Sequence, residues 1–262
     1  MTTLRLSIRN MTGPQLADFR QAVNELQEIT DNRGYQALAG IHGVPEFKCW
    51  HHQRQRNNPA TQRMFLPWHR AYMLAMEQAL QDRVAGVGLP WWNWASDISR
   101  TEGIPKAYSD ETFSDDKPNP LYSFHIFEPS AGLDEDTWRS PQSPNRLPYP
   151  GVPDVVNRLL EIADWGDFSD AIQSVHDFIH GWVGGSMGAV ATSAFDPIFF
   201  AHHCMIDRVW YLWQLRHGNS GIPQNLLNVV LSPFPQTVAD VLNVQDLGYD
   251  YAAAESTSPG VN

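Results

Sequence analysis

Val175-His176-Asp177-Phe178-Ile179-His180 is followed, after Gly184-Gly185-Ser186-Met187-Gly188, by Asp196-Pro197-Ile198-Phe199-Phe200-Ala201-His202-His203. Residues four apart on a helix lie one above the other, so His176 and His180 face the same way. A third imidazole from a neighbouring helix can then close a metal-binding triangle. His202 and His203 are the candidates. Adjacent helical residues point about 100° apart, so only one of the two can face a metal shared with His176 and His180. The other is expected to make a hydrogen bond just behind it. A histidine pair at this spacing more often lines a polar helix face; a second histidine group elsewhere in the chain reverses that reading.

That second group is His42, His51, His52 and His69. His69 opens a helix in Phe65-Leu66-Pro67-Trp68-His69-Arg70, and the others are expected in loops held by Pro45 and aromatic residues. His42 is the one candidate third ligand upstream. Neutral imidazoles without cysteine pairs suit copper or zinc, and copper wins on affinity. A two-zinc hydrolase would add bridging carboxylates, and none is well placed. Asp207, four residues after His203, is expected to orient a ring or to pair with a buried arginine, the alternative being a surface pair with Arg208. Cys49 and Cys204 are too few for a disulfide framework. One bridge between them stays open, but both lie beside histidine clusters.

The chain of 262 residues is 42% hydrophobic and 18% charged, enough for a sizeable core. Its net charge of -11 argues against nucleic acid or an anionic membrane as partner. No apolar run reaches membrane-span length, and Met1-Thr2-Thr3-Leu4-Arg5 lacks a signal-peptide core, so a cytoplasmic location is expected. Leu16, Phe19, Val23 and Leu26 fall at helical spacing in residues 14–29, with Thr12 and the nearby proline as start signal. Further helices are expected over Trp68–Arg83 and near 154–163, 168–183 and 196–217. Pro90-Trp91-Trp92-Asn93-Trp94 reads as extended. Residues 96–153, rich in Pro, Ser, Asp and Gly, read as a long surface excursion. The expected fold is mainly α, a bundle with loops packed outside, and bundles build metal sites from inward-facing side chains.

These stretches together resemble the tyrosinase, catechol oxidase and molluscan haemocyanin group of type-3 dicopper proteins. The matching residues are Phe65-Leu66-Pro67-Trp68-His69-Arg70-Ala71-Tyr72, His176 with His180, Gly184 to Met187, and Asp196-Pro197 through Phe199, His202, His203, Asp207 and Trp210. The resemblance runs from Arg9-Asn10, the family's early arginine region, to Tyr249-Asp250-Tyr251, nearly the whole chain; one catalytic domain over 1–262 is expected, with its core at about 5–251 and the C-terminal lid of many relatives not evident. It implies a four-helix bundle with two copper ions, the first on His42, His51 and His69 and the second on His176, His180 and His203. Phe199 would pack against the copper pair, while Met187 and Ala191 would border the substrate mouth.

Two departures from the family pattern stand out. Relatives commonly carry the second ligand nine residues before the Pro-Trp-His histidine, where this chain has Ala60, so His51 or His52 must fill the role. Cys49-Trp50-His51 has the spacing at which some fungal members form a thioether to that ligand. Secondly, Asp177 and Gln173 stand where hydroxylating relatives place Asn and Glu. Asp177 is therefore the expected base or water-polarising group. The implied activity is ortho-hydroxylation of monophenols and oxidation of o-diphenols to o-quinones, with dioxygen, small phenols and a copper-delivery protein as partners. The alternatives are a catechol or o-aminophenol oxidase lacking hydroxylation and, more remotely, a haemocyanin-like oxygen carrier, for whose covering domain the chain is short.

Overall fold

The structure is a computed structural model describing residues 2–49, 63–114, 116–143, 147, 152–219 and 221–253. Strand β1 (Thr3–Arg5) leads into helices α1 (Gly13–Gln27), α2 (Tyr35–His42) and α3 (Phe65–Gln81). The excursion follows, with short helices α4 (Asp97–Glu102) and α5 (Lys106–Ser109) and strands β2 (Thr112–Phe113), β3 (Lys117–Pro118), β4 (His125–Glu128) and β5 (Leu133–Asp136). Helices α6 (Val152–Glu161), α7 (Trp165–Val183) and α8 (Ile198–His217) come next, and β6 (Tyr249–Tyr251) closes the order. The fold is mainly α. Helices α2, α3, α7 and α8 form the bundle that carries the histidines, and α1 and α6 pack outside it.

Helix α1 begins as the sequence predicts. The Thr12 Oγ1 accepts from the Gln15 N–H while the Gln15 Oε1 accepts from the Thr12 N–H, a reciprocal cap, and Phe19, Val23 and Leu26 are buried. Helix α3 starts at Phe65, not Trp68. Pro67 lies in its first turn, where a missing N–H costs nothing, so the proline marks a beginning and not a break. Helix α8 is buried all round from Ile198 to Trp210, as befits the central element. Sequence reasoning missed α2, an eight-residue helix bracketed by Gly34 and Gly43, and placed His42 in a loop; His42 is in its last turn. The segment is too short, and too rich in glycine, for its period to show.

The excursion is more ordered than its composition suggested. Strands β2 and β3 form one antiparallel hairpin, and β4 and β5 another. Arg139 anchors it: its guanidinium donates to both carboxylate oxygens of buried Asp196 and to the Tyr108 and Leu121 carbonyls. Asp196 in turn accepts from the Ile198 N–H, tying the excursion to the start of α8.

The first and last described strands meet in a parallel pair, β1 with β6. Beneath it Asp207 on α8 accepts from Arg70 (2.5 Å), Arg5 (3.3 Å), Tyr249 (2.8 Å) and Tyr251 (2.5 Å). Arg5 also pairs with Glu77 and lies over the Tyr249 ring at 3.5 Å, and Arg70 lies over Trp210 at the same distance. The early arginine that meets the closing tyrosines is thus Arg5. Arg9, where the resemblance begins, pairs with Glu102 nearer the surface. Asp207 chooses buried arginines over Arg208, whose guanidinium covers Trp91 at 4.2 Å. Neither Cys49 nor Cys204 is in a disulfide, and among the described residues no helix is long and apolar enough to cross a membrane.

Burial alone would raise the Asp207 pKa, but Arg70, Arg5 and the Tyr251 hydroxyl outweigh it and hold the carboxyl below its ordinary 3.8. Its stabilisation is therefore complete above about pH 4 and drains away as the pH falls through the depressed value. Asp207→Asn takes the carboxylate from buried Arg70 and leaves Arg5 with Glu77 alone, and is expected to cost about 3–5 kcal/mol at pH 7. Urea unfolding at pH 7 and below pH 4 checks this: the variant's deficit should shrink in acid.

Candidate metal centre

Four elements bring the imidazoles together. Helix α2 supplies His42, α3 supplies His69, α7 supplies His176 and His180, and α8 supplies His202 and His203. His176, His180, His202 and His203 form one potential ligand group, and His42, Cys49 and His69 another. The two groups abut, since the His69 and His203 rings stack at 4.5 Å and 15°.

Each ring is held from behind. The His69 Nδ1–H donates to the Phe65 carbonyl at 2.7 Å, one turn earlier on its own helix. The His180 Nδ1–H donates to the Met187 carbonyl at 2.8 Å. That carbonyl is presented by a loop in which Gly185 has φ +55° and a Cβ there would lie 2.2 Å from the Trp138 carbonyl oxygen, so only glycine fits. The His176 Nδ1 lies 3.0 Å from the Asp177 carboxylate, which fixes the proton there. With their Nδ1 atoms protonated, these rings turn bare Nε2 lone pairs inward.

The lone pairs converge on one point. The His203 Nε2 is 3.2 Å from the His176 Nε2 and 3.3 Å from the His180 Nε2. A proton on His203 could satisfy one of those neighbours; a cation between them satisfies all three. Nitrogens tetrahedrally placed about 2.0 Å from a metal are about 3.3 Å apart, so the spacing fits a bound ion. Burial first, and then the crowd of neighbouring imidazoles, keeps His203 well below its usual pKa and hence neutral, as a ligand must be. His202 is shifted the same way by burial and by His180, but its ring stacks on His176 at 5.1 Å instead of joining the Nε2 convergence. The donor set fits copper.

The remaining sequence candidates take differing places. Phe199 stacks on His203 at 4.0 Å and meets His42 at 4.8 Å. Met187 is buried, and what reaches the centre is its carbonyl. Ala191 is half-buried and accepts the Val44 N–H at 3.1 Å, stitching the chain beyond His42 to the loop before α8. Asp177 keeps about half its side chain exposed. His51 and His52 lie outside the described residues. Sequence reasoning passed over Phe65, whose ring is 4.8 Å from both His69 and His176, although its place four residues before His69 could have signalled it.

Paired imidazole clusters on four bundle helices define a type-3 dicopper protein. The chain belongs to the tyrosinase family: the profile of the common central domain of tyrosinase matches residues 32–216, and two copper ions are that domain's cofactor. It is 29% identical over 281 residues to the A-type haemocyanin, units Ode to Odg, of Enteroctopus dofleini, covering 95% of this chain and 22% of that protein. It is 33% identical over 227 residues to haemocyanin 1 of Megathura crenulata, covering 80% of this chain and 6% of that one. The chain thus spans a minor part of these relatives. Among solved structures, a functional unit of octopus haemocyanin superposes with TM-score 0.78 at 27% identity, over 96% of this chain and 68% of that one. The tyrosinase of Burkholderia thailandensis superposes with TM-score 0.80 over 99% and 76%; at 23% identity that likeness concerns the fold.

The convergence separates the two adjacent histidines. His203→Gln is expected to lower copper from two ions per chain to one, whereas His202→Gln keeps both. Metal analysis after copper loading and desalting distinguishes them.

Proposed function

We propose that the chain is a tyrosinase-type oxidase that hydroxylates monophenols ortho to the hydroxyl and oxidises the resulting catechols to o-quinones, with His42, His69 and one of His51 and His52 on the first copper and His176, His180 and His203 on the second. Bound copper supplies the two-electron reduction of dioxygen, and the balance is one phenol and one O2 giving one o-quinone and one water. The protein's own groups orient and exclude. Phe199, Phe65 and the buried tryptophans make the surroundings apolar, which favours a flat ring over water.

The observation that carries the enzymatic reading is Asp177. Its carboxylate is half exposed yet 3.0 Å from the His176 Nδ1, so it reaches both solvent and the edge of the centre. Ionised, it holds the His176 tautomer and takes the phenol proton directly or through one water. Gln173, buried three residues before His176, cannot accept that proton. A reversible oxygen carrier needs no such base.

The carrier reading has its own support, because haemocyanins are among the curated relatives. One experiment decides between them. Copper-loaded protein is given oxygen, then L-tyrosine or catechol, with quinone formation followed by absorbance. Turnover of both substrates supports the proposal, and colour from catechol alone overturns the hydroxylase step. Reversible oxygenation with neither substrate consumed establishes the carrier. Asp177→Ala is expected to reduce tyrosine turnover at least about 100-fold, the usual scale for losing a general base, and to lower catechol turnover less, through the His176 tautomer that Asp177 also holds.

A further inference from the structure

We propose that the cleft beside strand β1 binds a small aromatic amine at a site separate from the histidine cage. The cleft holds about 450 Å³, its open mouth included, within the size range of small-molecule sites. Leu4, Leu6, Met11 and Val87 give it apolar walls, and Gln15 and Asp18 supply its polar groups. Among the described residues Asp18 is the one charged group in the lining, and it enters no ion pair. That carboxylate selects a cation. The first turn of α1 offers an anion little, because Pro14 has no N–H and the Gln15 and Leu16 N–H groups bond to Thr12. An ammonium gains the Asp18 carboxylate and keeps its remaining protons in water.

The walls select a flat body. The turn that follows α3 lines the cleft with Gly86 and Gly88, which present bare backbone, and Met11 adds a thioether that favours an aromatic ring. Gly88 lets that turn close on β1, since a Cβ there would lie 2.9 Å from the Thr3 side chain. The cleft also shares supports with the histidine cage. Leu4 adjoins Arg5, which pairs with Glu77 of α3, and Glu77 accepts the Leu89 N–H just past the turn. Gln81 donates to both the Thr3 hydroxyl and the Val87 carbonyl. A ligand bridging β1 and the turn therefore reinforces contacts that fix the helix carrying His69, and it stabilises the fold by mass action. None of this involves copper or phenol turnover, so the inference stands apart from the proposed activity.

The test titrates methyl-labelled protein, with and without copper, with 2-phenylethylamine, which lacks the phenol that turnover would consume, and follows the methionine methyl signals by NMR. Met11 is one of seven methionines, and Met11→Leu assigns its signal. Ring-current displacement of the Met11 methyl is expected, saturating with a dissociation constant of about 1 mM. Copper should not change that constant, and saturating amine should raise the urea midpoint. The uncharged 2-phenylethanol, and the amine on Asp18→Asn, should each bind about fivefold more weakly, the upper range for an exposed charge pair. The urea midpoint of Asp18→Asn shows whether that variant folds, and the two ligands on the wild type are decisive without it. A Met11 methyl that does not move by about 10 mM amine overturns the proposal. So does alcohol or hexylamine binding as tightly as the aromatic amine, or displacement at Met187, which would put the ligand at the cage.

Discussion

The salt bridge between Arg70 and Asp207 sets the register on which the centre depends. Arg70 follows His69 directly on α3, and Asp207 lies one turn after His203 on α8. Their 2.5 Å contact therefore locks the two helices at the level where one imidazole from each half must meet. The consequence is the parallel stacking of His69 on His203. Slippage of either helix by a turn moves a ring about 5.4 Å, enough to dismantle the convergence. Charge buried this deeply is costly unless every partner is in place, so the cluster rewards one arrangement and penalises its neighbours. By recruiting Arg5, Tyr249 and Tyr251 it also makes strands β1 and β6 part of the site's scaffold.

Around that lock, each imidazole is aimed by a different device. His69 uses a carbonyl of its own helix, His180 a carbonyl from the glycine loop, and His176 its neighbouring carboxylate. Such outer contacts fix tautomer and ring plane together, leaving the metal-facing nitrogens no freedom to turn away. The close aromatic packing of Phe65, Phe199 and Trp68 against the rings limits them further. The Nε2 atoms of His176, His180 and His203 are thereby held at the mutual spacing that a shared cation requires.

Much of this was legible in the chain. The i,i+4 histidines, the His202-His203 pair and the period of α1 and α3 identify a helical metal protein because inward-facing side chains recur at helical spacing. Asp207 was also readable, since a carboxylate one turn from a ligand must point toward the same interior. The rest was hidden for identifiable reasons. Helix α2 is too short to show a period, and its α-helical His42 was read as a loop residue. The role of Arg5 rests on the parallel pairing of β1 with β6, a contact between residues about 245 apart that no local pattern encodes. Arg139 is an ordinary charge in a polar stretch until Asp196 is seen buried beside it.

The histidine cage by itself does not distinguish an oxidase from a carrier, because both need dioxygen held between two coppers and a fold hosts either outcome. The difference must reside where a second molecule could approach. Ala191, half-buried, joins the two halves through the Val44 N–H, and Gly43 packs so closely that a Cβ would lie 2.2 Å from the Ala191 carbonyl oxygen. Under the proposed function the phenol approaches past these small residues and stiff backbone, with Asp177 as a half-exposed carboxylate beside the His176 ring. A base in that position is useful only if something acidic comes to it, and a phenol is the kind of weak acid whose proton a carboxylate beside two cations can take. Chemistry at the rim, not the metal cage, is what separates the two uses of this fold.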